Sequence, residues 1–479
     1  MGRRTGAGRG ALGHGWTPAR GTVTLCAAAA LATFVAHPAW GAPGTEGTPT
    51  PYAFAEDDTR AEGATVTADA VRLDPGHTYR SALPATGKRY YRLELDSAAN
   101  AYVSATAVPG AGARVSSADG LEVSVQDAGG TTCSTGTAHF GPTRSPHPIA
   151  AWASRETGAG TYGCKGAGVY YVVVERRVPG SSASTPGDWD LELDYVSEPA
   201  LDRDGATAPP GPWNSATPEA VLGDPIRRAG GAGFAGASAL GRGVWQDAIG
   251  PGQTLFYKVP VDWGQQLSAT VEMGSSTGGD GFVGTALAMS LYNPVRAHVA
   301  DADAGYNGAQ TSAALEPLPP VDHANRHAVG DRVGAMRFAG WYYLAVHLGA
   351  PVADRFGDGP FGLTLRVRVS GTPVSAPVYA GRAAPRDVFA VTAADREEAA
   401  PGATGDRGAS QGAPGAGAMA REDGGARGDG TGRGGPEEDT GTMRLVAAGG
   451  IGTGSVLVLG LVWWTAVAAR RRARDRWAG

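Results

Sequence analysis

The run Val169-Tyr170-Tyr171-Val172-Val173-Val174-Glu175 returns 172 positions later as Trp341-Tyr342-Tyr343-Leu344-Ala345-Val346-His347. The same shift carries residues 188–193 onto 360–365, while a shift of 166 carries 89–96 onto 255–262 and 121–127 onto 287–293. Four segments keep their order under two shifts that differ by one short insertion. The chain therefore repeats itself over roughly 150 residues, and whatever one copy folds into the other must fold into as well.

Each repeated segment is short, β-branched or aromatic, and bounded by Gly, Pro, Asp or Ser. Leu121, Val123 and Val125 alternate with Glu122, Ser124 and Gln126, and Trp189, Leu191 and Leu193 alternate with Asp190, Glu192 and Asp194. Period two predicts strands with one buried and one wetted face. Residues 169–174 are apolar nearly throughout, as in a central strand covered on both sides. Asp127-Ala128-Gly129-Gly130 reads as a turn whose glycines take positive φ. No stretch between 50 and 372 sustains a helical apolar stripe. The expected fold is all-β: two tandem antiparallel, jelly-roll-like β-sandwiches at 52–197 and 213–372. A Pro-rich linker over 198–212, stiffened by Pro209, Pro210 and Pro212, is expected between them.

The ends of the chain carry a different signal. Arg3, Arg4, Arg9 and Arg20 precede an apolar run over 23–35 and then Ala39-Trp40-Gly41, the order of a secretory signal peptide occupying 1–41. Residues 380–442 are Gly, Ala, Pro and charged side chains with almost nothing to bury, which predicts a disordered stalk. Residues 445–469 hold no charge, and a helix of that length spans about 37 Å, enough for a hydrocarbon core of about 30 Å. Trp463 and Trp464 suit the membrane interface, and Arg470, Arg471 and Arg472 would keep the tail 470–479 in the cytoplasm. Gly450 and Gly454 have the spacing that lets two membrane helices approach. The expectation is a single-pass plasma-membrane protein with its sandwiches outside the cell.

Removing the signal leaves Cys133 and Cys164, which in an exported protein are read as a disulfide. Closing a loop of about 31 residues would stabilise the first copy by roughly 3–4 kcal/mol. The shifts place Val299 and Met336 at the equivalent positions, an apolar pair suited to a core. Asp301 and Asp303, alternating ahead of Gly305, resemble the start of a calcium loop without its full set of oxygens. Calcium is the one cofactor this suggests; otherwise none is expected. His323 and His327 have helical metal-ligand spacing but follow Pro319 and Pro320 in a loop, so they read as surface histidines, and His139 and His147 as loop residues. H-E-x-x-H does not occur. A net charge of −5 argues against nucleic acid as partner.

Tyr90-Tyr91-Arg92-Leu93, residues 121–131 and 168–174, with 256–259, 287–291, Asp301, Asp303 and 340–344 in the second copy, resemble the bacterial pre-peptidase C-terminal (PPC) domain. That resemblance implies β-sandwich modules that bind matrix or envelope polymers or assist secretion, some with calcium, although the catalytic domain that usually accompanies them is missing here. The leading expectation is a non-enzymatic, membrane-anchored surface protein that binds envelope polymer or another exported or membrane protein. An accessory subunit of a membrane or secretion complex is one alternative. A hydrolase with a carboxylate pair in a cleft between the sandwiches is the other. Aromatic side chains gathered on an exposed sheet face would favour binding.

Overall fold

A computed structural model describes residues 50–158, 163–179, 184–203 and 205–402. The segments expected to be a signal peptide (1–41), the stalk beyond 402, a membrane span (445–469, with Gly450, Gly454, Trp463 and Trp464) and a cytoplasmic tail (with Arg470, Arg471 and Arg472) lie outside the described residues. Among the described residues no helix is long and apolar enough to cross a membrane.

The first copy builds ten strands: β1 (Thr59–Arg60), β2 (Val71–Arg72), β3 (His77–Leu83), β4 (Lys88–Leu95), β5 (Asn100–Val108), β6 (Gly120–Asp127), β7 (Thr132–His139), β8 (Ile149–Arg155), β9 (Gly168–Arg177) and β10 (Trp189–Glu198). The second builds β11 (Ile226–Arg227), β12 (Ser238–Ala239), β13 (Gly243–Ile249), β14 (Thr254–Val261), β15 (Gln266–Met273), β16 (Val283–Tyr292), β17 (His298–Tyr306), β18 (Thr311–Ala314), β19 (Gly340–Leu348) and β20 (Phe361–Ser370). Each set divides into two five-stranded sheets. The orders are β1-β3-β10-β5-β8 with β2-β4-β9-β6-β7, and β11-β13-β20-β15-β18 with β12-β14-β19-β16-β17. The two orders are the same once the second set is renumbered. Among the described residues helix is confined to short pieces: α1 (Asp331–Gly334), α2 (Pro351–Phe356), α3 (Ala393–Glu398) and three 3-10 turns.

The duplication extends to register. Tyr91 lies opposite Val172 and Tyr257 opposite Leu344; Leu191 faces Ala107 as Leu363 faces Met273. Side-chain contacts repeat too. The buried Tyr91 hydroxyl donates to Ser81 Oγ (2.8 Å), and its counterpart Tyr257 donates to Asp247 Oδ2 (2.6 Å). Tyr170 and Tyr342 each close on a carbonyl four residues back, Gly166 O (2.7 Å) and Phe338 O (2.8 Å). Gly63 and Gly230 are required for space: a Cβ at Gly63 would sit 2.6 Å from the Tyr91 hydroxyl, and one at Gly230 would sit 2.9 Å from that of Tyr257.

The two sandwiches belong to one compact unit, and their packing corrects three expectations. First, the acidic face of β10 is fully wetted only at Asp190: Glu192 is fully buried and Asp194 half-buried. Strand β5 is likewise buried on both faces up to its last residue. Ala101, Val103, Ala105 and Ala107 fill the first core, while Tyr102 and Val196 join the core cluster of the second sandwich. Second, the connection does not swing free from 198: Glu198 is buried, and Leu201 bridges to Tyr379. Third, the region expected as stalk from 380 is packed as far as 402. Phe389 is buried and stacks on Phe338 (ring centroids 4.7 Å apart), and Ala384 pairs with Ser197. Thr392 caps α3 in a reciprocal capping box, and Arg396 reaches Asp262 Oδ2 (2.6 Å). One phenylalanine in a Gly- and Ala-rich stretch supplies what the bulk composition hides.

Candidate functional site

Ionisable side chains at the seam between the sandwiches gather in three places. Glu198, at the end of β10, accepts from Asn100 Nδ2 (2.8 Å), Tyr102 OH (2.7 Å), Arg326 Nη2 (2.7 Å) and Tyr379 OH (3.1 Å). Burial alone would raise its pKa. The Arg326 charge and these hydrogen bonds outweigh burial and hold the carboxyl below the usual range. Beside it, Arg337 meets Glu156 (2.8 Å) and lies over the rings of Tyr102, Trp152 and Phe338.

The second cluster is centred on Arg296, in the turn between β16 and β17. It pairs with the buried Glu192 and lies 3.8 Å from Asp194, with its guanidinium over Phe234. Tyr52 OH donates to the other Glu192 oxygen (3.2 Å). Arg296 has φ 56, where its counterpart in the first copy is Gly130 at φ 84. The turn itself is the same: Asp127 Oδ1 accepts from the N–H groups of Gly129 and Thr131, and Asn293 Oδ1 from those of Val295 and Ala297. A non-glycine residue in that region costs of order 1–3 kcal/mol and persists only where the surroundings hold it. Here the buried carboxylate of the other sandwich does so.

The third is a stacked pair, His147 on His347, with ring centroids 4.5 Å apart and planes at 27°. Thr254 Oγ1 lies 3.0 Å from His347 Nδ1, and Ser145 Oγ accepts from Ala350 N (3.1 Å). Burial pushes His147 down to about 4; burial, then the neighbouring His147, pushes His347 well down. Both rings are uncharged at neutral pH, which is what permits them to stack. His147 lies in a loop, as expected, and that loop packs at the seam; His139, also expected in a loop, is the last residue of β7.

A cleft of about 500 Å³ opens where the inter-sandwich connection runs beside the chain leaving β20. Its walls come from 201–203, 205–206, Trp263, 321–324 and 374–378. They are pinned by backbone bonds from Asp202 N to Val378 O (2.8 Å), Gly264 N to Val321 O (2.8 Å) and Val374 N to Trp263 O (2.9 Å). His323 lies between this cleft and Glu198. It opens a 3-10 turn (His323–His327) capped by Asp322, and its side chain is 13% exposed. Burial, then the Arg326 charge, brings it down to about 4. The expectation of a surface loop fails here because Asp322 and the seam order the segment; His327 Nε2 lies 2.7 Å from Ala206 O. The two histidines serve different contacts and do not converge on a metal.

Cys133 and Cys164 form the expected disulfide, with Cα atoms 5.7 Å apart. Their counterparts Val299 and Met336 are both buried in the second core. Asp301 and Asp303 lie in β17, opposite Ser290 and Ala288, and both are exposed. A strand, not a loop, holds them, so the backbone does not curl its carbonyls around one point as a calcium loop does. A hydrogen bond from His298 (2.7 Å) lowers the Asp301 pKa, and Asp303 accepts from Thr285 Oγ1 (3.2 Å). Among the described residues no group of three or more His, Cys, Asp or Glu side chains is placed to hold a metal. Nor is an aromatic platform gathered on a sheet face: among the described residues Phe282 is the one exposed aromatic.

Sequence reasoning missed the seam and the cleft. The residues of each come from distant segments, in the seam up to 205 positions apart, as Ser145 and Ala350 are, and no local pattern joins them.

No protein-family model and no curated protein matches the chain. Among solved structures, the CBM22-1-CBM22-2 tandem domain from Paenibacillus barcinonensis Xyn10C is 11% identical over 60% of this chain and 84% of that one, with a TM-score of 0.16. The CUB1-EGF-CUB2 domain of human MASP-1/3 is 7% identical over 61% and 99%, with a TM-score of 0.14. TM-scores of this size carry no argument of their own beyond the β-sandwich fold described above.

Proposed function

We propose that the chain is a non-enzymatic binding protein, exported and anchored to the plasma membrane, that presents a fused pair of β-sandwiches to an envelope polymer or to another exported protein. The observation that carries this reading is the use to which the buried ionisable groups are put. Glu156, Glu192, Glu198, Arg296, Arg326 and Arg337 neutralise one another across the seam, so they serve to fix one sandwich on the other. The cleft beside them is rimmed instead by polar groups with few partners in the protein. The disulfide suits an oxidising compartment outside the cytoplasm. The apolar runs at 23–35 and 445–469 supply the export signal and the anchor.

Two measurements on the full chain test the reading. An impermeant protease added to intact cells should remove residues 50–402 and spare an epitope placed after 479. Capture from solubilised membranes, with and without calcium, should then recover envelope polymer or a specific exported partner. Protection of the sandwiches from the protease, or turnover of envelope glycans or peptides by the purified chain, would contradict it.

A further inference from the structure

The seam cleft has the dimensions and chemistry of a ligand site. At about 500 Å³ it falls within the range of roughly 300–1,000 Å³ common to small-molecule sites. Trp263, in its wall, is only 3% exposed, yet its indole Nε1 has no hydrogen-bond partner among the described residues. A buried N–H left in this way is unfavourable, and an acceptor atom arriving from the cleft would relieve it. On the rim, Asp202 and Arg203 are exposed and enter no ion pair among the described residues. Asp322 uses Oδ1 to cap Ala324 N (2.8 Å), and its second oxygen is outside that cap. Val374 and Val378, 60% and 68% exposed, line the same wall and add an apolar strip.

A matching ligand accepts from the indole and the guanidinium and donates to two carboxylates. It also presents an apolar face. An anion is disfavoured, because Asp202 and Asp322 outnumber Arg203 on the rim, and a cation would still meet the Arg203 charge. Hydroxyl groups on a ring satisfy all of this, since each one both donates and accepts. A peptide strand would instead need free backbone edges. Here the backbone groups of Asp202, Val374 and Gly264 are already paired within the walls. We propose that the cleft bordered by Trp263, Asp202, Arg203 and Asp322 binds one or two units of a neutral saccharide, a reading that rests on the chain being an envelope-facing binding protein.

The test titrates the full chain in detergent micelles, by calorimetry, with neutral tetrasaccharides of glucose, mannose, xylose, arabinose and N-acetylglucosamine. Tetragalacturonate and a Gly/Ala tetrapeptide serve as contrasts. The proposal expects at least one neutral tetrasaccharide to bind with a Kd below about 1 mM. Trp263→Phe, which keeps a ring and removes the N–H, should weaken that binding about tenfold. Asp202→Asn, on the exposed rim where folding does not depend on it, should weaken it several-fold and so stands independent of any loss of stability in Trp263→Phe. The proposal is overturned if no neutral sugar binds, if both variants bind as the parent does, or if only tetragalacturonate or the peptide binds. Should the sugars fail while the chain still captures a polymer or an exported partner from membranes, the cleft assignment falls and the binding-protein reading stands. Failure of both experiments removes both.

Discussion

The two sandwiches share a strand order and a register, yet they do opposite things with their outer faces. In the first, the outer face of β10 and β5 (Tyr102, Glu192, Val196, Glu198) is docked on the second sandwich. The equivalent face of β20 and β15 carries no third sandwich. An extended stretch of chain lies on it, held by Arg366 Nη1 on Val221 O (2.8 Å), Arg368 Nη1 on Glu219 O (2.8 Å) and Gln266 Nε2 on Asn214 O (3.0 Å). The other pair of faces is reversed. Phe256, Tyr292 and Tyr343 pack with Phe234 at the seam, whereas their counterparts Tyr90, Gln126 and Tyr171 are half-exposed. Period-two geometry explains how this is possible. The inward residues fix each core and each register, which leaves the outward set free to diverge without disturbing either.

The largest predicted effect breaks that asymmetry at its charged centre. Arg296→Ala or Glu198→Ala leaves a buried partner unpaired and should cost about 3–5 kcal/mol in thermal or denaturant unfolding. Thr364→Ala or Ser370→Ala, at the second-copy positions equivalent to Glu192 and Glu198, should stay within about 0.5 kcal/mol. Equal losses in both copies would mean that the seam has no special place in the fold.

Next is the covalent difference. Cys133→Ser with Cys164→Ser should lower stability by roughly 3–4 kcal/mol. Hydrogen exchange should report the loosening in β6, β7 and β9 and leave β16, β17 and β19, where Val299 and Met336 stand in the same places, much less affected.

A smaller effect follows from protonation. His147 and His323 are held near 4 in the folded chain and His347 is also pushed well down, against about 6.5 when unfolded. The unfolded chain therefore takes up protons that the folded chain refuses, so stability falls as pH drops from about 6.5 towards 4 and is fully regained above that window. His147→Phe should flatten this dependence in a melting series; an unchanged slope would remove the seam histidines as its source. The smallest effect is expected at the strap: Arg368→Ala should cost about 1 kcal/mol, with increased exchange at 219–221 alone.

Much of this was readable from the chain before any coordinates. The repeat predicted the paired sandwiches because inward residues such as Leu121, Val123 and Val125 recur with their spacing intact, and compartment chemistry predicted the disulfide. The outer faces were not readable in the same way. Asp190, Glu192 and Asp194 look alike in the sequence whether they meet water or a buried arginine, and Arg296 is 104 positions from Glu192. Asp301 and Asp303 suggested a loop because the intervening alanines disguise β17. The cleft escaped notice since Trp263, His323 and Val378 come together only through the tertiary fold.

The central claim is that the seam makes two repeats into one cooperative body. Differential scanning calorimetry of the full chain, beside Arg296→Ala and Glu198→Ala, tests it most directly. One transition that carries the unfolding of both sandwiches, and that splits or broadens into two in the variants, is the predicted result. Two independent transitions in the parent chain, each indifferent to both substitutions, would contradict it.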